Sequence, residues 1–251
     1  MSLRSLTTTL ATAALIGVTA LSGGGSDARS GLSHSHPTVG SQHRGNGDRT
    51  SSAACTRVSD CHVVAHVDVD GDGRPDQIGW RQISDRSVQI RVDTSTGKLL
   101  TARVDVRLWW GGGAWAGATR IDNRPGAELL IGSRQGAHTP MYRMLTFRNG
   151  GLAVERSPSA LSALWQVDAA DGDYMGWWRH ALPDGQIAMT QKIAVRSGRG
   201  SQFRGHNVTY KWSGGRWHRS AADTVTYASG RAASVIAGFH VRGLKSFPGL
   251  G

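Results

Sequence analysis

Glutamate and lysine are almost missing from this chain, with two Glu and four Lys in 251 residues. Helix-rich proteins draw on both, together with Leu and Ala, so a mainly helical fold is not expected. Beyond the first two dozen residues no stretch approaches the eighteen apolar residues of a membrane span, so nothing in the mature chain is expected to hold it in a bilayer. The sequence also lacks a GxSxG elbow, an HExxH helix, a GxxxxGK phosphate loop and an RNP signature, which leaves catalysis and nucleic-acid recognition without positive support. What is present is 39% apolar and 19% charged side chains, enough for one sizeable core, with 34 glycines and nine tryptophans that lean toward β-structure. Lys plus Arg outnumber Asp plus Glu by 29 to 18, an excess that is nearly all arginine. It suggests an anionic neighbour, a phosphate-bearing polymer or a membrane surface, and codon bias in a GC-rich genome gives the same composition.

Residues 1–22 read as an export signal, with Arg4 ahead of the apolar stretch Leu10–Leu21 and a small-residue cleavage site at Ala20 and Ser22. Gly24 stands where a bacterial lipoprotein would carry its lipidated cysteine, so no lipid anchor is expected and the mature chain is read as secreted. In that compartment the only two cysteines, Cys55 and Cys61, read as one structural disulfide, since they lack CxxC spacing and a second pair. Residues 23–54 hold Gly, Ser, Asp, Arg and His with hardly any large apolar side chain, and are expected to be a flexible linker. His34, His36 and His43 lie in it, where His-x-His spacing can bind a transition metal, although a solvated polar tract is the commoner origin of such spacing.

From residue 62 onward short alternating segments are bounded by Gly, Asp, Asn and Pro, the pattern of antiparallel strands in tight hairpins. Strands over 63–67, 77–82, 88–92 and 98–104 make a first group, and 114–121, 128–133, 141–147 and 151–155 a second. A third comprises 164–167, 174–179, 186–195 and 208–212, with a last strand at Trp217. The closing turns contain Gly97, Gly150 and Gly214, and Leu145-Thr-Phe-Arg-Asn-Gly-Gly is related to Tyr210-Lys-Trp-Ser-Gly-Gly. The fold class expected over 55–227 is therefore all-β, built from antiparallel four-strand, blade-like repeats in a β-propeller-like arrangement. Three units do not close a propeller; either 225–243, running into a C-terminal segment 228–251, supplies a degenerate fourth, or the units form a small, open array.

One motif carries chemistry. Asp68-Val-Asp70-Gly-Asp72-Gly-Arg74-Pro-Asp76 places carboxylates at loop positions 1, 3, 5 and 9 of an otherwise basic chain. Neighbouring unit charges near a surface repel by about 1–4 kcal/mol per pair, so a compensating cation is expected. Calcium, which takes about six to eight hard oxygen ligands, suits Asp68, Asp70, Asp72, Asp76 and the Arg74 carbonyl at position 7. An EF-hand is excluded, because position 12 is Gly79 rather than a bidentate glutamate and both flanks alternate as strands.

Val67-Asp-Val-Asp-Gly-Asp-Gly-Arg-Pro-Asp76, followed by an apolar strand, resembles the FG-GAP or VCBS repeat, the calcium-loop blade of integrin-like β-propellers. The resemblance implies a hairpin calcium site on a propeller rim, with the same five ligand positions. The second loop, Asp122 to Glu128, keeps only two carboxylates, and the third carries Asp168, Asp171 and Asp173 at altered spacing. The function implied is a secreted, non-enzymatic calcium-binding repeat protein that acts as a binding or adhesion module at the cell envelope, with an anionic envelope polymer, a glycan or a protein as ligand. A secreted hydrolase on the same scaffold and a glycan-binding lectin are the alternatives. Glu128 and Glu155, the only glutamates available to a glycosidase, fall in or beside strands. If both members lie in strands, Trp109-Trp110 and Trp177-Trp178 direct one indole of each pair away from the core, where it can stack on a ligand, unless packing between neighbouring blades covers both faces.

Overall fold

The computed structural model describes residues 53–106, 109 and 113–246. The expected export signal, nearly all of the linker with its three histidines, and Trp110 lie outside the described residues.

Three sheets follow one another along the chain. The first contains β1 (Cys61–Val67), β2 (Asp76–Ser84), β3 (Ser87–Asp93) and β4 (Leu99–Asp105), each hydrogen-bonded to its sequence neighbour. The second is β5 (Trp115–Thr119), β6 (Glu128–Gln135), β7 (Pro140–Arg148) and β8 (Gly151–Glu155) in the same order, with β9 (Trp165–Gln166) added beside β7. The third runs from β10 (Asp168–Ala169) through β11 (Asp173–Ala181), β12 (Ile187–Arg196) and β13 (Phe203–Ser213) to β14 (Arg216–Tyr227). A short helix, α1 (Gly230–Ser234), capped by the Ser229 side chain, leads to β15 (Gly238–His240) beside β11. Among the described residues the strands do not close into a barrel, and the sheets form an open, blade-like all-β array.

Side-chain alternation explains the stacking. Ile78 and Trp80 on β2, Val88, Ile90 and Val92 on β3, and Leu100 and Val104 on β4 put their apolar side chains on one face. They pack against Leu129, Ile131 and Leu145 of the second sheet. The opposite face of that middle sheet, Leu130, Tyr142 and Met144, packs on Trp177, Met189 and Val208 of the third. Being covered on both sides, β6 has no polar face to alternate, which is why Leu129, Leu130 and Ile131 are consecutive and all buried. Each such aliphatic side chain contributes about 1.5–3 kcal/mol by leaving water.

One expectation needs correcting. The segment 164–167 is not the first strand of the third sheet: β9 pairs antiparallel with β7, and only β10 joins β11. The split follows from Trp165, which is fully buried against Trp177 with ring centroids 4.7 Å apart and so holds the chain at the junction of both sheets. Beyond the range expected to form antiparallel units, β15 lies parallel to β11. Instead of building a fourth sheet among the described residues, the C-terminal segment completes the third sheet and reaches the second through a Gly117–Leu244 bridge. Close approach here requires glycine: a Cβ on Gly176 would meet the Ile236 carbonyl oxygen at 1.8 Å. Gly176→Ala is expected to lower the urea midpoint by an amount equivalent to about 1–3 kcal/mol, through displacement of β15. An unchanged midpoint would show that this contact contributes nothing.

Cys55 and Cys61 form a disulfide, which fits an oxidising compartment. It lies over Gly79 of β2, where a Cβ would come within 2.7 Å of Cys55 Sγ. Among the described residues no helix is long and apolar enough to cross a membrane.

Candidate metal centre

The loop between β1 and β2 is organised by its own carboxylates. Asp76, the first residue of β2 and 1% exposed, folds back so that Oδ2 accepts the N–H groups of Val69 at 2.7 Å and Asp70 at 3.2 Å. Its Oδ1 accepts Ser95 N–H at 2.8 Å from the turn after β3. Asp68 spans the turn, Oδ1 accepting from Gly71 at 2.7 Å and Oδ2 from Gly73 at 3.0 Å. Both glycines have φ near +85°, as 85° and 84°, the left-handed region in which a side chain is strained.

These bonds bring Asp68, Asp70 and Asp76 together, each offering an oxygen within 4.8 Å of the others. Asp72 takes a different direction: its carboxylate accepts the Ser95 hydroxyl and, at 2.8 Å, the Arg74 N–H. Arg74 is exposed at the outer end of the turn. Burial pushes the Asp70 carboxyl above its ordinary range, and repulsion from Asp76, Asp72 and Asp68 adds to this against the Asp72 N–H bond. The Asp72 carboxyl is held down, mainly by the Ser95 hydroxyl and then by the Arg74 N–H. A carboxylate oxygen has about two lone-pair directions, so an Asp68 oxygen bonded to one N–H keeps another for a cation. Three crowded carboxylates and no nitrogen or sulfur donor make a group that can hold a hard metal ion.

The second loop repeats the plan with a different ending. Glu128, the first residue of β6, folds back seven residues to accept Ile121 N–H at 2.6 Å, as Asp76 does with Val69. With Asp122 and Glu155 it forms a second group of carboxylates within 4.8 Å of one another, here fully buried. The cation is already in place. Arg148, the last residue of β7, pairs with Asp122 and, at 3.2 Å, with Glu155. Trp217 Nε1–H donates to Glu155 at 3.1 Å and the Thr146 hydroxyl to Glu128 at 3.0 Å. Burial is the main reason that Glu128 is pushed up to about 7 and Glu155 to about 8, with neighbouring carboxylates adding and Arg148 opposing. Sequence spacing did not reveal this group, because Arg148 and Glu155 come from strands β7 and β8 rather than from the loop.

The third loop disperses its carboxylates. Asp168 accepts the Thr139 hydroxyl and the Ala170 N–H, Asp171 pairs with Arg196 at 3.0 Å, and Asp173 is exposed.

The loops also tie the sheets together. Ala127 N–H of the second loop donates to Asp68 O at 2.8 Å, and a Cβ on Gly126 would strike Val69 O at 2.3 Å. Asn123 of the second loop in turn donates to Ile187 O at 3.2 Å and Trp212 O at 3.3 Å of the third sheet.

Compared with protein-family models, curated proteins and solved structures, the chain matches none. Its sites therefore rest on geometry. Among the paired tryptophans, Trp177 is buried, whereas Trp178 turns outward and is covered by His240, stacked at 4.0 Å, and by Lys192 Nζ at 4.0 Å.

Proposed function

We propose that this is a secreted calcium-binding repeat protein of the FG-GAP or VCBS kind, a binding module that works at the cell envelope without catalysing a reaction. One observation carries the reading: of two carboxylate groups built on the same loop plan, the second holds Arg148 as its counter-cation, while Asp68, Asp70 and Asp76 have no basic side chain bonded to them among the described residues. Calcium suits that group better than magnesium, which demands near-ideal octahedral geometry and sheds water reluctantly. The Arg74 carbonyl and Asp72 would complete the shell, Asp72 after leaving Ser95. Extracellular calcium modules bind at about 10⁻⁴–10⁻³ M, and an affinity near that range is expected here. Export is supported by the leader-like N-terminus and the disulfide.

Calorimetry of calcium against magnesium on wild type and Asp70→Ala tests the assignment. Wild type should show calcium heat and a raised melting temperature, magnesium much less, and Asp70→Ala neither. Absence of both responses in wild type would sink it.

A further inference from the structure

Residues of the second and third sheets line an open cleft of about 570 Å³, which includes Glu155 of the buried carboxylate group. Arg124, Arg156 and Arg216 stand on its walls, all exposed and none in an ion pair among the described residues. Arg148 supplies a fourth guanidinium at the floor, anchored by its pairing with Asp122 and Glu155. Trp212 and Trp217 form the apolar wall, each partly exposed and packed edge to face at 5.2 Å. Their positions are fixed: Trp217 donates its indole N–H to Glu155, and the Arg148 guanidinium lies 5.5 Å over the Trp212 ring.

We propose that this cleft binds an anionic saccharide, a pyranose chain bearing carboxylate, sulfate or phosphate groups. Guanidinium forks pair with such oxyanions in two-point geometry, which a lysine would not do. Indole faces supply the flat apolar surface on which the C–H side of a sugar ring rests. Exposed like charges held around one cleft repel, so an oxyanion between them is favoured, and a neutral glycan would leave the arginines unused. The cleft binds rather than cuts its ligand: among the described residues Glu155 is the only carboxylic residue lining it, Glu128 is buried and not part of the lining, and glycoside hydrolysis needs two carboxyl groups facing the bond. The inference deepens the binding-module reading by naming its ligand class, and it does not depend on the metal loop, which lies in the first sheet.

The test is titration of the purified chain with trigalacturonate, a heparin tetrasaccharide, inorganic phosphate and maltotriose, followed by calorimetry and by the indole N–H resonance of Trp217. Both anionic sugars should bind and shift that resonance, weakening at least about tenfold between about 50 and 300 mM salt. The tighter of the two identifies the anion. Arg156→Ala with Arg216→Ala should weaken binding at least about tenfold, while the charge-matched pair Arg199→Ala with Arg204→Ala, exposed elsewhere on the third sheet, should change it less than about twofold. No binding of either anionic sugar, equal losses in the two double variants, or equal binding of maltotriose or phosphate would overturn the proposal. Each titration is run in calcium and in chelator. Cleft binding that persists when no calcium heat is found would refute the metal site alone, and calcium heat without sugar binding would refute the cleft alone.

Discussion

Arg148→Ala is expected to cost the β domain about 3–5 kcal/mol, the loss associated with removing one partner from a buried ion pair. Asp122, Glu128 and Glu155 are all buried, and Arg148 is the only basic side chain bonded to them among the described residues. Its removal leaves three carboxyl groups in low dielectric with nothing to balance them. The deficit should depend on pH, with a sign set by where the two glutamates titrate. Glu128 is raised from 4.5 to about 7 and Glu155 from 4.5 to about 8. Between the unfolded and folded values the native state holds protons that the unfolded chain has released. Their contribution is therefore fully present below about pH 4.5 and is lost as pH rises through 7 and 8, at about 1.4 kcal/mol for each tenfold difference in proton affinity between the folded and unfolded chain. Without the guanidinium both carboxyls rise further, so the variant should lose more stability than wild type between about pH 5 and pH 8. Urea unfolding at the two pH values checks this. Equal pH dependence in variant and wild type would mean that Arg148 does not stabilise the group.

Asp76→Ala should be nearly as damaging, by about 3 kcal/mol, for a different reason. Its carboxylate accepts three backbone N–H groups, from Val69, Asp70 and Ser95. A buried donor left without an acceptor costs about 1–3 kcal/mol, and Val69 is 1% exposed. The loss should appear in chelator as well as in calcium, since it concerns the loop itself. Asp70→Ala provides the contrast: its carboxyl is disfavoured by burial and by three neighbouring acids, so removing it should leave the metal-free domain equally or more stable while abolishing the calcium response. Thermal melts of both variants with and without calcium separate the roles. If Asp76→Ala melts like wild type in chelator, the carboxylate does not organise the turn.

Much of the strand order was legible because most pairings are local. Segments with an apolar stripe, such as Val88 to Val92 and Met141 to Phe147, were placed within a residue or two. The long β14 was read only at Trp217, because its pattern is nearly all exposed and an outer strand has no second sheet to impose alternation. The parallel β15 left no trace in local sequence, since its partner β11 lies far back in the chain. At the site, loop spacing picked out Asp68, Asp70 and Asp76, which the structure brings together, and it could not show that Ser95 draws Asp72 aside. The Arg148 group was invisible for the same reason as β15: its members meet only when separate strands are in register.

That late partner has a consequence for how the chain is assembled. Every other strand pairing among the described residues joins sequence neighbours, or in β7–β9 strands separated by one other, so these pairs can form as successive segments leave the ribosome or an export channel. The β11–β15 contact cannot, because β12, β13, β14 and α1 must all emerge first. Until they do, the side of β11 around Gly176 and Trp177 offers unpaired amides and carbonyls, the kind of open margin on which chains exchange segments or aggregate. The β15 segment thus acts as a clasp: by joining β11 and bridging to Gly117, it covers that margin only after the strands between have emerged.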